Sequence, residues 1–320
     1  MLDVLADRDE LARYYSSEVS NNVPGGSAVQ SRAASLLVRL PPARFDAGAR
    51  AYLGNMLFDR AVAGSFEPRA AHVGFAGHSL LTFRRAAATG ARLVLVSPTA
   101  HVDRARRLYA DACARDPIER PWLGRALAAR TEAEYALADT IQVASEYARL
   151  SFVEAGLPPE RLERVHLSVA ERFRPAPERR PDDVFRLLYV GGLTVAKGVP
   201  ILLDAFARLP HESAELVLLG GWSSRGMRRH ILSAAARDPR IRLATGDPLP
   251  HLQRADAYVH PSFQEGFGYA PMEALACGVP VIVTEDTGMK EYIREGETGY
   301  VVPTGDVDAL VERLLTLVRA

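Results

Sequence analysis

The chain has 320 residues, of which 48% are hydrophobic, enough to bury two ordinary cores. Its 39 basic and 39 acidic residues cancel, and no long single-sign block suggests a nucleic-acid arm or a polyanion partner, so no nucleic-acid role is expected. Cys113 and Cys277 stand far apart, without His or Cys at ligand spacing, and support neither a disulfide framework nor a zinc site.

The first fifteen residues carry Asp and Glu where a signal peptide needs basic residues followed by an apolar run. No stretch reaches the ~18 apolar residues of a membrane span, so the expected location is cytoplasmic. Arginines at Arg84-Arg85 and from Arg104 to Arg107 leave peripheral membrane contact open, although a solvated helix face is the plainer reading. Only Lys197 and Lys290 are lysines, against 37 arginines, so each lysine asks for an explanation.

In chain order, Asn21-Asn-Val-Pro-Gly-Gly-Ser27 reads as a turn, with no preceding strand of the kind that opens a doubly wound domain. The runs His72–Phe75, Arg92–Ser97 and Thr140–Ala144 predict strands, and Val102–Ala114 and Trp122–Leu137 predict the longest helices between them. The charged, proline-rich stretch Arg172–Pro181 reads as an exposed linker. Beyond it, strands are expected at Arg186–Gly191, Ala214–Gly220, Arg240–Ala244, Ala257–His260, Pro280–Thr284 and Gly299–Val302, each followed by a helix or turn. Near-continuous apolar strands spaced by helices indicate parallel sheets covered on both faces. A last helix is expected from Asp306 as N-cap through Val318. The organisation is then an N-terminal α/β domain over 1–171 without its first strand, a linker at 172–182 and a C-terminal α/β domain over 183–320.

The segment His260-Pro-Ser-Phe-Gln-Glu-Gly-Phe-Gly-Tyr-Ala-Pro-Met-Glu-Ala-Leu-Ala-Cys-Gly-Val-Pro280 carries the strongest signal. Glu265 and Glu273 lie eight apart. Gly266, Phe267 and Gly268 form a turn whose backbone can approach a ligand closely, and the following helix start can bind a diphosphate or sugar oxygen. Lys197 sits between the strand ending near Val190 and the helix Val199–Leu209, a strand-to-helix turn of the kind where ligands collect in open α/β sheets.

These residues resemble the family 4 retaining glycosyltransferases, whose Glu-x7-Glu signature looks like Glu265 to Glu273. The resemblance covers about Val165 to Val318, including Tyr189-Val-Gly-Gly-Leu-Thr-Val-Ala-Lys-Gly198 and Gly278–Val283. It implies a GT-B fold: two facing Rossmann-like domains, parallel sheets with helices on both faces, and a cleft between them. It further implies that Glu265 binds hydroxyls of a donor sugar, Glu273 those of a nucleotide ribose, and Lys197 the donor diphosphate. Acceptor-only carboxylates facing diols suit the first two roles, and a point charge suits the third. Gly191, Gly192, Gly246, Gly266, Phe267 and Gly268 complete the implied donor site. Gly192 departs from the family pattern, which often has arginine there to share the diphosphate.

His101, where a strand enters an Arg-rich helix, resembles the histidine that in many relatives helps position the transferred sugar; a polar helix start is the plain alternative. His78 and the Pro24–Ser27 turn resemble acceptor-side and donor-loop features in outline only. Gly246-Asp247 falls where relatives hold the nucleobase, and Asp286, Thr287 and Gly288 fall at a sheet edge near the phosphates, with a structural turn as the equal alternative. The implied reaction is retaining transfer of a sugar from a UDP- or GDP-type donor to a hydroxyl of a glycan, a lipid-linked glycan or a small molecule. No cofactor and no metal are expected, since Lys197 and helix N-termini do the cation work and no Asp-x-Asp pair stands ready to hold one. The alternatives are a lapsed nucleotide-sugar-binding partner subunit and a sugar-nucleotide epimerase on the same architecture. A phosphorylase is disfavoured, because Lys290 lies in no pyridoxal phosphate context.

Overall fold

In the computed structural model the described residues are 14–16, 28–30, 47–177, 183–209 and 214–319. The elements in order are β1 (Tyr14–Ser16), β2 (Ala28–Gln30), α1 (Ala47–Gly64), β3 (Ala71–Phe75), α2 (Leu80–Ala87), β4 (Arg92–Ser97), α3 (Val102–Arg115), α4 (Arg125–Leu137), β5 (Thr140–Val143), α5 (Glu146–Glu154), β6 (Leu162–Arg164), β7 (Phe185–Val190), α6 (Val199–Ala207), β8 (Ala214–Leu219), α7 (Arg225–Arg237), β9 (Ile241–Ala244), the single turn α8 (Leu249–Leu252), β10 (Ala257–His260), α9 (Tyr269–Ala276), β11 (Val281–Thr284), β12 (Gly299–Val302) and α10 (Val307–Arg319).

The apolar runs of the second half form one parallel sheet in the order β12-β11-β10-β7-β8-β9. Every residue of β10 and β11 is buried, as a sheet covered on both faces requires. Helices α6 and α10 pack on each other, α7 packs on β9, and α9 on β10 and β11. Asp306 caps α10 as expected, its Oδ1 accepting from the Ala309 amide at 3.0 Å. The chain runs outward from β7 to β9 and then returns to β10 beside β7. The strand order therefore reverses between β7 and β10, the kind of switch point beside which ligands bind in open α/β sheets.

A second sheet has the order β3-β4-β5-β6, with β3 and β4 parallel and Ala71 opposite Arg92. Strands β1 and β2 form a separate parallel pair and join neither larger sheet. The Pro24–Ser27 turn lies outside the described residues.

By contacts, the chain divides into Met1–Val96 with Pro121–Gln142, and Ser97–Arg120 with Val143–Ala320. The segment carrying His101 and α3 thus folds with the six-stranded sheet. Of the stretch read as a linker, residues 178–182 lie outside the described residues, while Phe173 is buried among Leu188, Tyr258 and Cys277. The Arg172 guanidinium covers the Phe173 ring and pairs with Asp247 at 2.9 Å.

The first unit is pinned by three buried charges. The opening N–H groups of a helix have no partner within it, and here two carboxylates take them. Glu134 accepts from the amides of Gly77, Ser79 (2.8 Å) and Leu80 (3.0 Å), and Asp59 from those of Leu81 (2.6 Å) and Thr82 (2.9 Å). Arg130 pairs with Asp59 and stands 3.8 Å from Glu134. The start of α2, beside His78, is therefore closed by the protein's own carboxylates. His78 itself is half-buried, with Nδ1 3.1 Å from the Ala76 carbonyl oxygen and its ring edge-on to Phe58. Removing one member of a buried ion cluster strands the others, so Arg130→Ala is expected to destabilise by about 3–5 kcal/mol; chemical denaturation followed by circular dichroism measures it.

Candidate functional site

At the end of β7 the buried Tyr189 phenol donates to the Gly192 carbonyl at 2.8 Å, and Gly191 takes φ +144° over the ring. The loop continues through Leu193, whose amide donates to Gly221 at 2.8 Å, to Lys197, whose amide donates to Thr194 Oγ1 at 3.0 Å. Gly198 then caps α6 in the left-handed conformation, with φ +68°. A Cβ there would overlap the Pro261 carbonyl, so close approach and backbone both demand glycine.

The loop leaving β10 passes the same point. The Phe263 amide donates to the Ala196 carbonyl at 2.9 Å, and Ser262 Oγ donates to the same oxygen at 3.3 Å. This stitch carries Glu265 onto Lys197, and Nζ and Oε2 form an ion pair. Burial lowers the Lys197 ammonium to about 8, while the carboxylate against it favours the charged form. Behind the pair lies His260, which is 4% exposed. Its Nε2 is 3.6 Å from Glu265 Oε2, and burial, then the Lys197 charge, push its pKa down to about 3.

The Glu265 backbone is fixed from the other side, donating to the Asp286 carbonyl at 3.1 Å and accepting from the Gly288 amide at 3.0 Å. The expected Asp286–Gly288 turn thus aligns Glu265, and Tyr147 holds it by donating to Asp286 at 3.3 Å. Gly266 is sealed: Ser145 Oγ donates to its carbonyl at 2.5 Å, and a Cβ would overlap the Pro98 carbonyl. Phe267 is buried edge-on to Tyr269 and Tyr292, and Gly268, at φ +99°, opens α9. Glu273 lies half-buried on α9, and burial raises its carboxyl, partly offset by Arg172. Gly246 takes φ +113° at an exposed turn.

His101 is the N-cap of α3. Its Nδ1 accepts from the Asp103 amide at 3.3 Å, its own amide donates to Ser151 Oγ at 2.8 Å, and its ring meets the edge of Phe152. It is buried, burial lowers its pKa, and the Pro98–Thr99 loop before it packs on Gly266. Lys290 donates to the Glu285 carbonyl at 2.7 Å and lies over the Tyr147 ring. In the pair Asp306–Asp308, the first residue caps α10 and the second meets Arg208 at 2.5 Å. Among the described residues no group of three or more His, Cys, Asp or Glu is placed to hold a metal ion, and no helix is long and apolar enough to cross a membrane.

Two contributors escaped the sequence reading. His260 opens the Glu265 motif but reads there as a strand end. Glu119 stands outside any motif, yet it accepts from the Val195 amide at 2.9 Å and from Ser223 Oγ, bracing the Lys197 loop.

Comparison with known proteins fits this arrangement. Residues 171–320 match the family model described as "Glycosyl transferases group 1". That stretch, just under half of the chain, is similar to the group 1 glycosyltransferases. Among curated relatives, the chain is 34% identical over 137 residues to O-antigen chain mannosyltransferase B of Escherichia coli, covering 40% of this chain and 35% of that protein. A D-inositol 3-phosphate glycosyltransferase of Streptomyces bingchenggensis is 34% identical over 199 residues, with coverage of 53% and 42%. The chain thus spans less than half the length of these relatives. Among solved structures, sucrose-phosphate synthase from Thermosynechococcus elongatus superposes with TM-score 0.73 at 19% identity over 94% of this chain and 75% of that one. WaaG, a glycosyltransferase involved in lipopolysaccharide biosynthesis, superposes with TM-score 0.69 at 19% identity, covering 100% and 85%. The fold is accordingly GT-B-like, with two parallel-sheet α/β domains.

The sealed position Gly266 gives a structural test. Gly266→Ala sets a methyl against a backbone carbonyl that cannot rotate away, and is expected to destabilise by roughly 1–3 kcal/mol. A thermal midpoint equal to that of the wild type would show that the Pro98 loop yields.

Proposed function

We propose that the protein is a retaining glycosyltransferase that moves a sugar from a nucleoside diphosphate sugar to a hydroxyl acceptor without a metal. The observation that carries this reading is the meeting of Lys197 and Glu265 at the point where the strand order reverses. A diphosphate leaving group gathers negative charge as the sugar departs, and a fixed ammonium stabilises that charge more in the transition state than before it. A carboxylate next to it can accept two charge-assisted hydrogen bonds from sugar hydroxyls. Glu273, a helix turn further on, is assigned to the ribose hydroxyls, and Gly191, Gly192, Gly246 and the Gly266–Gly268 turn to backbone contacts with the nucleotide. His101 is assigned to the transferred sugar. With no carboxylate assigned as nucleophile, departure and attack are taken to occur on the same face of the sugar.

The donor is taken as UDP- or GDP-type. HepE from Anabaena, a structural neighbour at TM-score 0.63 and 17% identity over 82% of this chain and 73% of that one, was solved with UDP-glucose, which supports looking there first. The acceptor is taken as a glycan, a lipid-linked glycan or a small molecule, and the protein as cytoplasmic, with peripheral membrane contact open. One observation favours a second reading, a binding subunit whose catalysis has lapsed: the position where relatives often carry a diphosphate-binding arginine is the exposed Gly192.

Thermal stability against UDP, GDP, ADP and dTDP tests the reading. The matching nucleotide at ~100 times its dissociation constant is expected to stabilise by about 2.7 kcal/mol. Lys197→Ala is expected to lose roughly 1.5–3 kcal/mol of that nucleotide's binding free energy. Because the ammonium binds the anion only while protonated, wild-type affinity is expected to fall as pH rises through about 8, and the variant's to stay flat across that range. An unshifted melting curve with all four nucleotides would sink the donor assignment. Binding without donor hydrolysis or transfer would bring the lapsed-subunit reading forward.

The division between the two glutamates is tested separately. Glu273→Gln is expected to weaken binding of the free nucleoside diphosphate, while Glu265→Gln spares it and lowers turnover of the sugar donor. Titration calorimetry and a donor-hydrolysis assay read the two effects; the reverse pattern would exchange the roles.

A further inference from the structure

The glycosyltransferase reading leaves one buried polar group of the site without a task. His260 ends β10 with its ring near-parallel to those of two tyrosines, its centroid 6.2 Å from that of Tyr189 at 8° and 6.3 Å from that of Tyr258 at 16°. A leucine or phenylalanine would fill this slot without desolvating any polar atom. Instead the imidazole keeps Nδ1 3.4 Å from the Tyr258 hydroxyl, while Nε2 is buried with no hydrogen-bond partner among the described residues. That orphaned atom faces Glu265 Oε2 at 3.6 Å, just beyond bonding distance, and the same oxygen is held by Lys197. Buried polar atoms are nearly always paired, so one left unpaired beside a functional carboxylate asks for a role.

We propose that His260 is the positioning residue of Glu265, its Nε2–H taking over the carboxylate when Lys197 turns to a donor's diphosphate. In the structure one oxygen of Glu265 is neutralised by the ammonium. A diphosphate placed between the loops competes for that ammonium, and a half-buried carboxylate then needs another donor to stay aimed at sugar hydroxyls. His260 is the nearest candidate, and it is buried beside the Tyr189 and Tyr258 rings. The hydrogen belongs on Nε2, since a carboxylate across from that atom favours the tautomer that donates to it. Nδ1 then accepts from the Tyr258 hydroxyl, which divides its proton between the ring and the Val190 carbonyl at 3.1 Å. Buried and close to the lysine, the ring stays neutral over the working pH range and therefore acts as a hydrogen-bond donor, without exchanging protons with the substrate.

This inference rests on the proposed glycosyl transfer, yet part of its test needs no turnover. Long-range nitrogen–proton NMR correlations of the full chain, with the His260 signals identified by their loss in His260→Gln, report the tautomer directly. A protonated Nε2 is expected; a ring protonated on Nδ1 would overturn the proposal. Activity supplies the second arm, measured as hydrolysis of UDP-glucose and, separately, of GDP-mannose. His260→Phe keeps the ring's shape but lacks the donor, and is expected to lower kcat at least tenfold while leaving the matching nucleoside diphosphate's affinity within threefold. His260→Gln places an amide N–H near the same point and is expected to restore at least half of the loss. If His260→Phe keeps its kcat, or if His260→Gln is as impaired as His260→Phe with an unchanged melting temperature, the positioning role is wrong. A wild-type chain with a protonated Nε2 that hydrolyses neither donor and binds neither UDP nor GDP would instead count against the glycosyl-transfer reading.

Discussion

Everything in the candidate site depends on how closely the loops after β7 and β10 can approach. The contact is made of backbone: the Ala196 carbonyl takes the Phe263 amide, and Gly198 lies flat against the Pro261 carbonyl. No side chain could be added at Gly198 without pushing the loops apart. Because the two strands are neighbours while their crossovers run in opposite directions, the same topology that makes the switch point also limits what can line it. One cation arrives from one loop and one carboxylate from the other, at a separation fixed by hydrogen bonds that neither side chain makes.

A consequence is electrostatic. Lys197 and Glu265 neutralise each other, which keeps two half-buried charges from standing alone. A ligand that replaces this pair must answer both members, with an anion for the ammonium and hydroxyl donors for the carboxylate. A bare anion leaves the carboxylate without its lysine, and a bare polyol leaves the lysine where it is. A nucleoside diphosphate sugar carries both functions a few bonds apart, so the pairing itself discriminates in favour of the intact donor. The Asp286–Gly288 turn fixes the Glu265 backbone, and on the positioning role proposed for it the buried His260 ring would hold the carboxylate during such an exchange.

The sequence discloses the strands well and the alliances poorly. Arg92–Ser97, Ala257–His260 and Gly299–Val302 are found where apolar runs place them, and in Ala257–His260 burial on both faces of the parallel sheet explains the continuous signal. Strand β6 passes unnoticed, since three residues that include Glu163 and Arg164 carry no periodicity. Helix α4 starts at Arg125 and not at Trp122, because Gly124 adopts an extended backbone and serves as the cap. Lys197 is legible through its rarity, and Glu265 and Glu273 through their motif. Glu119 and Ser145 are not, because each acts on a residue more than 70 positions away and local patterns say nothing about such distances. His260 hides for the opposite reason: its partner is only five residues on, but the chain must turn out of β10 before the two face each other.

Gly192 shows where conformational need ends and chemical choice begins. Gly191 and Gly198 carry positive φ and press on a phenol and a carbonyl, so their identity follows from geometry. Gly192 does not. Its φ lies outside the left-handed region, and an added Cβ would meet only the Thr194 methyl, at 3.6 Å. Its carbonyl, not its missing side chain, is the part in use, held by the Tyr189 phenol. The backbone would therefore accept the arginine of the family pattern that the sequence resembles, and on the proposed reading its absence would leave the charge of a bound diphosphate to Lys197 and to the amides that open α9. On the proposed glycosyl-transfer reading, the transition-state charge would be met by the Lys197 ammonium, whose hold on its proton burial weakens, and by dipoles fixed in the fold, so the state of Lys197 would govern the site.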